Sequence, residues 1–146
     1  MVSHPPNRGG YYKIRNVEFD TQYVDLKQGN ARPGTLIVGH REDNSPGGIQ
    51  NRTWQILYQS KGPLTATIRN PVSASYATVD DLNGNVVGNG DPQEFELIKT
   101  SYGYRIKVKG STDVWILDSK EDLTKIHVIS PPSESDKKQY WILESS

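Results

Sequence analysis

Three side chains in the first third of the chain, Asp25, His40 and Asn51, form a set suited to holding a neutral polyhydroxylated ligand. A carboxylate accepts hydrogen bonds from two adjacent hydroxyls, a primary amide both donates and accepts, and an imidazole offers a flat face with a donor. The polar stretch 41–52 adds Arg41, Asn44, Gly47 and Gly48. The two glycines lack side chains and let a ligand approach the backbone. Read for catalysis, the sequence offers less. His4, His40 and His127 stand in no recognised catalytic motif. Asp80-Asp81 and Glu121-Asp122 are adjacent acids, which point different ways or lie in turns and make poor glycosidase pairs. No spacing suits calcium or zinc, and with no cysteine there is no thiolate ligand, disulfide or cysteine nucleophile. The expectation is a binding protein with no catalytic residue, no metal and no cofactor.

The elements that must position these residues are announced by a repeat. Tyr12-Lys13-Ile14-Arg15-Asn16 returns as Ala66-Thr67-Ile68-Arg69-Asn70 and, degraded, as Tyr104-Arg105-Ile106-Lys107-Val108. Each copy ends on an aromatic residue leading a short apolar strand: Trp54-Gln55-Ile56-Leu57, Phe95-Glu96-Leu97-Ile98 and Trp141-Ile142-Leu143. Turn signals divide each copy into four short apolar runs, with Asn83-Gly84 the strongest hairpin signal among them. The expected strands are 12–16, 23–26, 35–38 and 54–58, then 66–69, 76–79, 85–87 and 95–98, then 104–108, 114–117, 125–129 and 140–143. No segment carries a sustained helical period, although 118–125 has room for a single helical turn. Twelve short strands in three groups of four predict an all-β chain, a β-trefoil in which six strands form a short barrel and three hairpins cap one end. Residues 1–9 read as a flexible tail, and residues 10–146 as one domain with repeats at about 10–62, 63–101 and 102–146. The three aromatic residues and the set Ile14, Ile68 and Ile106 are expected in the core.

Function should then show as broken symmetry. Repeat one has the longest loop before its final strand and the most polar side chains. Asp25 interrupts its second strand, where repeat two offers Thr78 or Asp80 and repeat three offers Leu117-Asp118. Gly39-His40 ends its third strand, against Gly88-Asn89 and Ile129-Ser130. Asn51 stands three residues before Trp54, against Pro92 and Lys138.

The overall composition sets outer limits. Seventeen basic and seventeen acidic residues give zero formal charge, with no basic stripe, so nucleic acid is not an expected partner. No run approaches a membrane span and the first residues hold no apolar signal core, so the expectation is a cytoplasmic protein that does not insert into membranes. Asn51-Arg52-Thr53 matches the glycosylation acceptor pattern, which on that expectation stays unmodified.

The stretch Tyr23-Val24-Asp25-Leu26, then Gly34 to His40, then Asn51-Arg52-Thr53-Trp54 resembles the mushroom ricin-B-like β-trefoil lectins. The resemblance is best over residues 10–58 and fades through repeats two and three. The Gln-x-Trp signature of the ricin type stands here as Arg52-Thr53-Trp54, Gln93-Glu94-Phe95 and Gln139-Tyr140-Trp141, complete only in the last. The resemblance implies a non-catalytic fungal defence lectin for galactose- or N-acetylgalactosamine-type glycans, including a GalNAc-GlcNAc disaccharide. It places the sugar-holding aspartate at Asp25 and the sugar-binding asparagine at Asn51. The aromatic stacking platform of the family falls at Gly39 and is missing, with His40 as its replacement. One competent site per chain follows, and a homodimer would supply avidity. The competing reading is a β-trefoil protease inhibitor presenting a basic residue such as Arg8, Arg32 or Lys61 on an exposed loop, a reading in which Asp25 and Asn51 have no part.

Overall fold

The computed structural model describes residues 10–146. The tail at 1–9, with His4 and Arg8, lies outside the described residues. Twelve strands follow in chain order: β1 (Gly10–Asn16), β2 (Gln22–Leu26), β3 (Thr35–Arg41), β4 (Trp54–Lys61), β5 (Leu64–Asn70), β6 (Ser75–Val79), β7 (Val86–Asn89), β8 (Phe95–Thr100), β9 (Gly103–Val108), β10 (Val114–Leu117), β11 (Thr124–Ile129) and β12 (Trp141–Ser145). One six-residue helix, α1 (Pro46–Asn51), interrupts them.

The pairing closes on itself. Strand β1 pairs with β4, β4 with β5, β5 with β8, β8 with β9, β9 with β12 and β12 with β1, all antiparallel. This six-strand ring is a barrel without edges. The hairpins β2–β3, β6–β7 and β10–β11 pair with one another through β3–β7, β3–β11 and the bridge Asn85–His127, forming a triangular cap. The architecture is a β-trefoil.

The core sits where barrel meets cap. Trp54, Phe95, Trp141, Ile14, Ile68 and Ile106 are all fully buried. The Trp54 indole N–H donates to the Val24 carbonyl at 2.9 Å, and Trp141 makes the equivalent bond to the Trp115 carbonyl at 3.4 Å. Phe95 has no donor. Its ring meets Trp115 edge-on instead, with centroids 5.3 Å apart.

The asparagine that ends the repeated Ile-Arg-Asn has a defined task. Asn16 and Asn70 are both buried. Each accepts from a backbone N–H three residues on, Phe19 and Ser73, and each amide donates back to the segment before a final-strand tryptophan. Asn70 donates to the Gln50 carbonyl at 2.9 Å and the Thr53 carbonyl at 3.3 Å, so a repeat-two residue anchors the end of α1 in repeat one. Repeat three has Val108 there and forgoes the device.

Two sequence expectations are corrected. Residues 118–125 form no helical turn. They form a tight turn at Asp122-Leu123 that feeds into β11, because the tip is drawn onto β3 by the Leu123 N–H bonding to the Gly39 carbonyl. The polar loop 41–52 is also not wholly irregular. Ser45 caps α1 by accepting from the Gly48 N–H, and Pro46 occupies the first turn where its missing N–H costs nothing.

The Asn70→Ala variant, which leaves the Gln50 and Thr53 carbonyls without their donor, is expected to lose about 2 kcal/mol of stability in urea unfolding. A loss no greater than that of a surface substitution would show that Asn70 does not anchor α1.

Candidate functional site

Strands β2 and β3 carry the first two site residues on the same face. Asp25 lies opposite Val38 and Tyr23 opposite His40, so Asp25 and His40 are diagonal neighbours on the outer face of the hairpin. The alternate residues Val24, Leu26 and Ile37 face the core. Trp54 holds Val24 from within and thereby fixes the outward position of Asp25 next to it.

Asp25, Gln28, His40, Asp43, Gly48, Asn51 and Leu123 line one cleft of about 240 Å3. The cleft thus gathers the cap hairpin, the loop after β3, helix α1 and one residue of repeat three. The carboxylate of Asp25 and the amides of Gln28 and Asn51 make no hydrogen bond to the described residues. Their donors and acceptors are available to a ligand. His40 Nδ1 lies 2.7 Å from the Arg41 carbonyl. A carbonyl only accepts, so the hydrogen sits on Nδ1 and Nε2 is left for the cleft. Gly48 is required by packing, since a Cβ there would run into Asp43. Gly29 is favoured by its left-handed φ of 63°, and a Cβ there would displace the Asn51 amide.

Three residues expected from sequence fall outside this lining. Arg41 points away: its side chain is 75% exposed, and its Nε donates to Asp122 at 2.9 Å. It lines a neighbouring groove of about 510 Å3 with Thr21, Gln22, Lys120, Glu121 and Asp122. The polar groups there are largely satisfied by one another, because Asp122 also accepts from Gln22 and from the Arg41 backbone. Asn44 accepts from buried Arg52 at 3.0 Å and supports the loop. Gly47 is exposed, with open space where a Cβ would stand. Gly39 is no place for a stacking ring, since a Cβ there would lie 2.8 Å from Leu117 in the core.

Sequence reasoning passed over Gln28, Asp43 and Leu123. Gln28 stands in a turn marked by Gly29 and itself has a left-handed φ of 55°. Asp43 is placed by the capping pattern, accepting from the Ser45 N–H at 2.9 Å. That bond holds its carboxyl below the usual carboxylate range. Arg52, two residues before Trp54, is buried. It pins the loop through the Asp43 carbonyl, Asn44 and Glu42.

The same register identifies the counterparts in the other repeats. Trp54 bonds Val24 as Trp141 bonds Trp115, so Asp25 corresponds to Ile116. In repeat two Thr78, opposite Val87, takes that place. This replaces the sequence alignment of Asp25 with Leu117-Asp118 and selects Thr78 over Asp80. His40 corresponds to Asn89 and Ile129. Neither counterpart offers a carboxylate. Among the described residues no group of three or more His, Cys, Asp or Glu side chains is placed to hold a metal ion.

No protein-family model matches the chain. Its structure is similar to the Rhizoctonia solani agglutinin, with TM-score 0.81, 23% identity and coverage of 100% of this chain and 99% of that one. It is equally similar to the Macrolepiota procera ricin B-like lectin in complex with lactose, with TM-score 0.81, 20% identity and coverage of 98% and 100%. A designed three-fold symmetric protein, ThreeFoil, matches with TM-score 0.79, 18% identity and coverage of 94% and 99%. At these identities the likeness establishes the β-trefoil fold.

Burial raises the Asp25 carboxyl from its ordinary 3.8 to about 6, against the opposing pull of His40 and Arg52 and with the support of Asp43 and Asp122. Its folded pKa exceeds its unfolded one, so the ionised group destabilises the fold. That cost is absent below pH 3.8 and is fully present above about pH 6. The Asp25→Asn variant is therefore expected to be more stable than the parent at pH 8, by on the order of 2 kcal/mol, and to lose that advantage by pH 4. Urea unfolding at the two pH values measures the difference. An advantage of equal size at both would disprove the burial cost.

Proposed function

We propose that the chain is a non-catalytic lectin of the ricin B-like type that binds a terminal galactose or N-acetylgalactosamine residue in the Asp25 cleft. The observation that carries this reading is a buried carboxylate, 7% exposed, opening onto a cleft with two uncommitted amides and an imidazole nitrogen. Ionised Asp25 accepts from two vicinal hydroxyls, Asn51 and Gln28 complete the hydrogen bonding of their neighbours, and His40 Nε2 supplies a further hydrogen-bonding position. These contacts exchange bonds to water for bonds to protein and give weak affinity per site. With Thr78 and Ile116 in the corresponding places, one site per chain is expected, and agglutination requires two chains to associate. The lactose complex of the Macrolepiota procera lectin supports the choice of sugar class.

No specific observation favours the inhibitor reading. Arg32 lies in a turn whose next glycine bonds back to Gly88, which holds the segment against β7 rather than extending it.

Calorimetric titration with lactose and with N-acetylgalactosamine is expected to give one site per chain. The Asp25→Ala variant is expected to bind at least about ten-fold more weakly, the worth of one hydrogen bond to a charged group. Affinity should also fall as pH drops from 7 to 5 and Asp25 becomes protonated. Binding that survives Asp25→Ala undiminished would move the site elsewhere.

A further inference from the structure

The turn that carries Leu123 is built like another turn in the molecule, with one residue out of character. In the β2–β3 hairpin, Arg32-Pro33-Gly34-Thr35 closes with the Thr35 N–H on the Arg32 carbonyl, and Gly34 has φ 88°. The Thr35 hydroxyl donates to the same carbonyl at 2.7 Å, and the Gly34 N–H reaches the Gly88 carbonyl on β7. In the β10–β11 hairpin, Glu121-Asp122-Leu123-Thr124 repeats each of these bonds, with Leu123 reaching the Gly39 carbonyl on β3. Leu123 has φ 70°. The β6–β7 hairpin also uses a glycine, Gly84, at φ 76°. A left-handed third residue is what a type II turn demands, and glycine or asparagine is the residue that meets the demand cheaply. A leucine there is strained, and such strain persists where surrounding structure enforces it and function uses it.

The surrounding structure does enforce it. Asp122 accepts from Gln22, from the Arg41 N–H and from Arg41 Nε, at 2.9 to 3.0 Å. Burial raises the Asp122 carboxyl, but these bonds outweigh it and hold it below the usual carboxylate range, so the clamp stays ionised. Leu123, fixed next to the clamp, remains 50% exposed, so the core does not claim its side chain. It lines the Asp25 cleft instead, and it is the one apolar side chain among an otherwise polar lining.

We infer that Leu123 is a specificity-determining contact residue, supplied by repeat three, that covers the apolar C–H face of a hexose whose hydroxyl edge is held by Asp25. This rests on the lectin reading above. A sugar presents both faces, and the polar arc of the cleft matches only one of them. Leu123 contributes to the ligand the apolar burial that it does not contribute to the fold. Because the side chain comes from repeat three, the site in repeat one is complete only in the closed trefoil.

Two variants test this by thermal melting and lactose titration. Leu123→Gly relieves the strain, and Leu123→Asn relieves it while keeping a side chain of similar reach. Both are expected to melt higher than the parent and to bind lactose about five-fold more weakly, the effect of roughly 40 Å2 of apolar surface no longer withdrawn from water. Parental affinity in either variant overturns the inference while leaving the lectin reading intact. A lower melting temperature accompanying the loss overturns it too, since Leu123 would then serve the fold. A parent protein that binds neither lactose nor N-acetylgalactosamine ends the lectin reading and this inference with it.

Discussion

The structure depends on closing a six-strand ring whose bottom and top must be held in register. The Trp54 indole N–H on the Val24 carbonyl is the clearest instance of that constraint. It ties a barrel strand to a cap strand, places Val24 inward, and leaves Asp25 no direction but outward. Trp141 on Trp115 repeats it, and Phe95 substitutes an aromatic edge contact. With the core filled by such residues, the hairpins cannot slip by one position without exchanging core and surface faces. The same register fixes which side chains of the repeat-one hairpin, Asp25 and His40 among them, face outward.

Repeats also borrow from one another. Asn70 in repeat two holds the carbonyls of Gln50 and Thr53, so it fixes the helix that ends at Asn51. Asp122 in repeat three holds Gln22 and Arg41, and its neighbour Leu123 lines the cleft that Asp25 lines. The fold thus lets three similar units build one dissimilar cleft. Burying the Asp25 carboxylate costs stability at neutral pH, and the left-handed Leu123 adds strain. Both liabilities meet in the same cleft, which is the pattern expected where a site is maintained at the expense of the fold.

The strands were legible in the amino-acid sequence because alternation is a local property and the threefold repeat checks each reading twice. Ile14, Ile68 and Ile106 needed no coordinates to be placed in the core. Asp25, His40 and Asn51 stood out because the equivalent positions lack them. What was not legible has physical causes. Helix α1 contains Pro46, Gly47 and Gly48, which read as loop, and its six residues are too few for a period to show. Arg41 follows His40 directly and so faces the other way along the strand, a distinction the polar run of side chains concealed. Gly39 looked like an empty platform, yet its missing side chain makes room for Leu117. Leu123 could not be found from sequence, because its place in the cleft follows from a turn conformation that leucine rarely adopts and from a pairing between distant hairpins.

The central claim is a single glycan site built on repeat one and finished by repeat three. An NMR titration of the labelled protein with lactose tests it most directly. The account predicts that amide shifts cluster at Asp25, Gln28, His40, Gly48, Asn51 and Leu123, with the counterparts Thr78 and Asn89 and Ile116 and Ile129 unmoved. Shifts centred on those counterparts, or absent from Leu123 and Asp25, would contradict it.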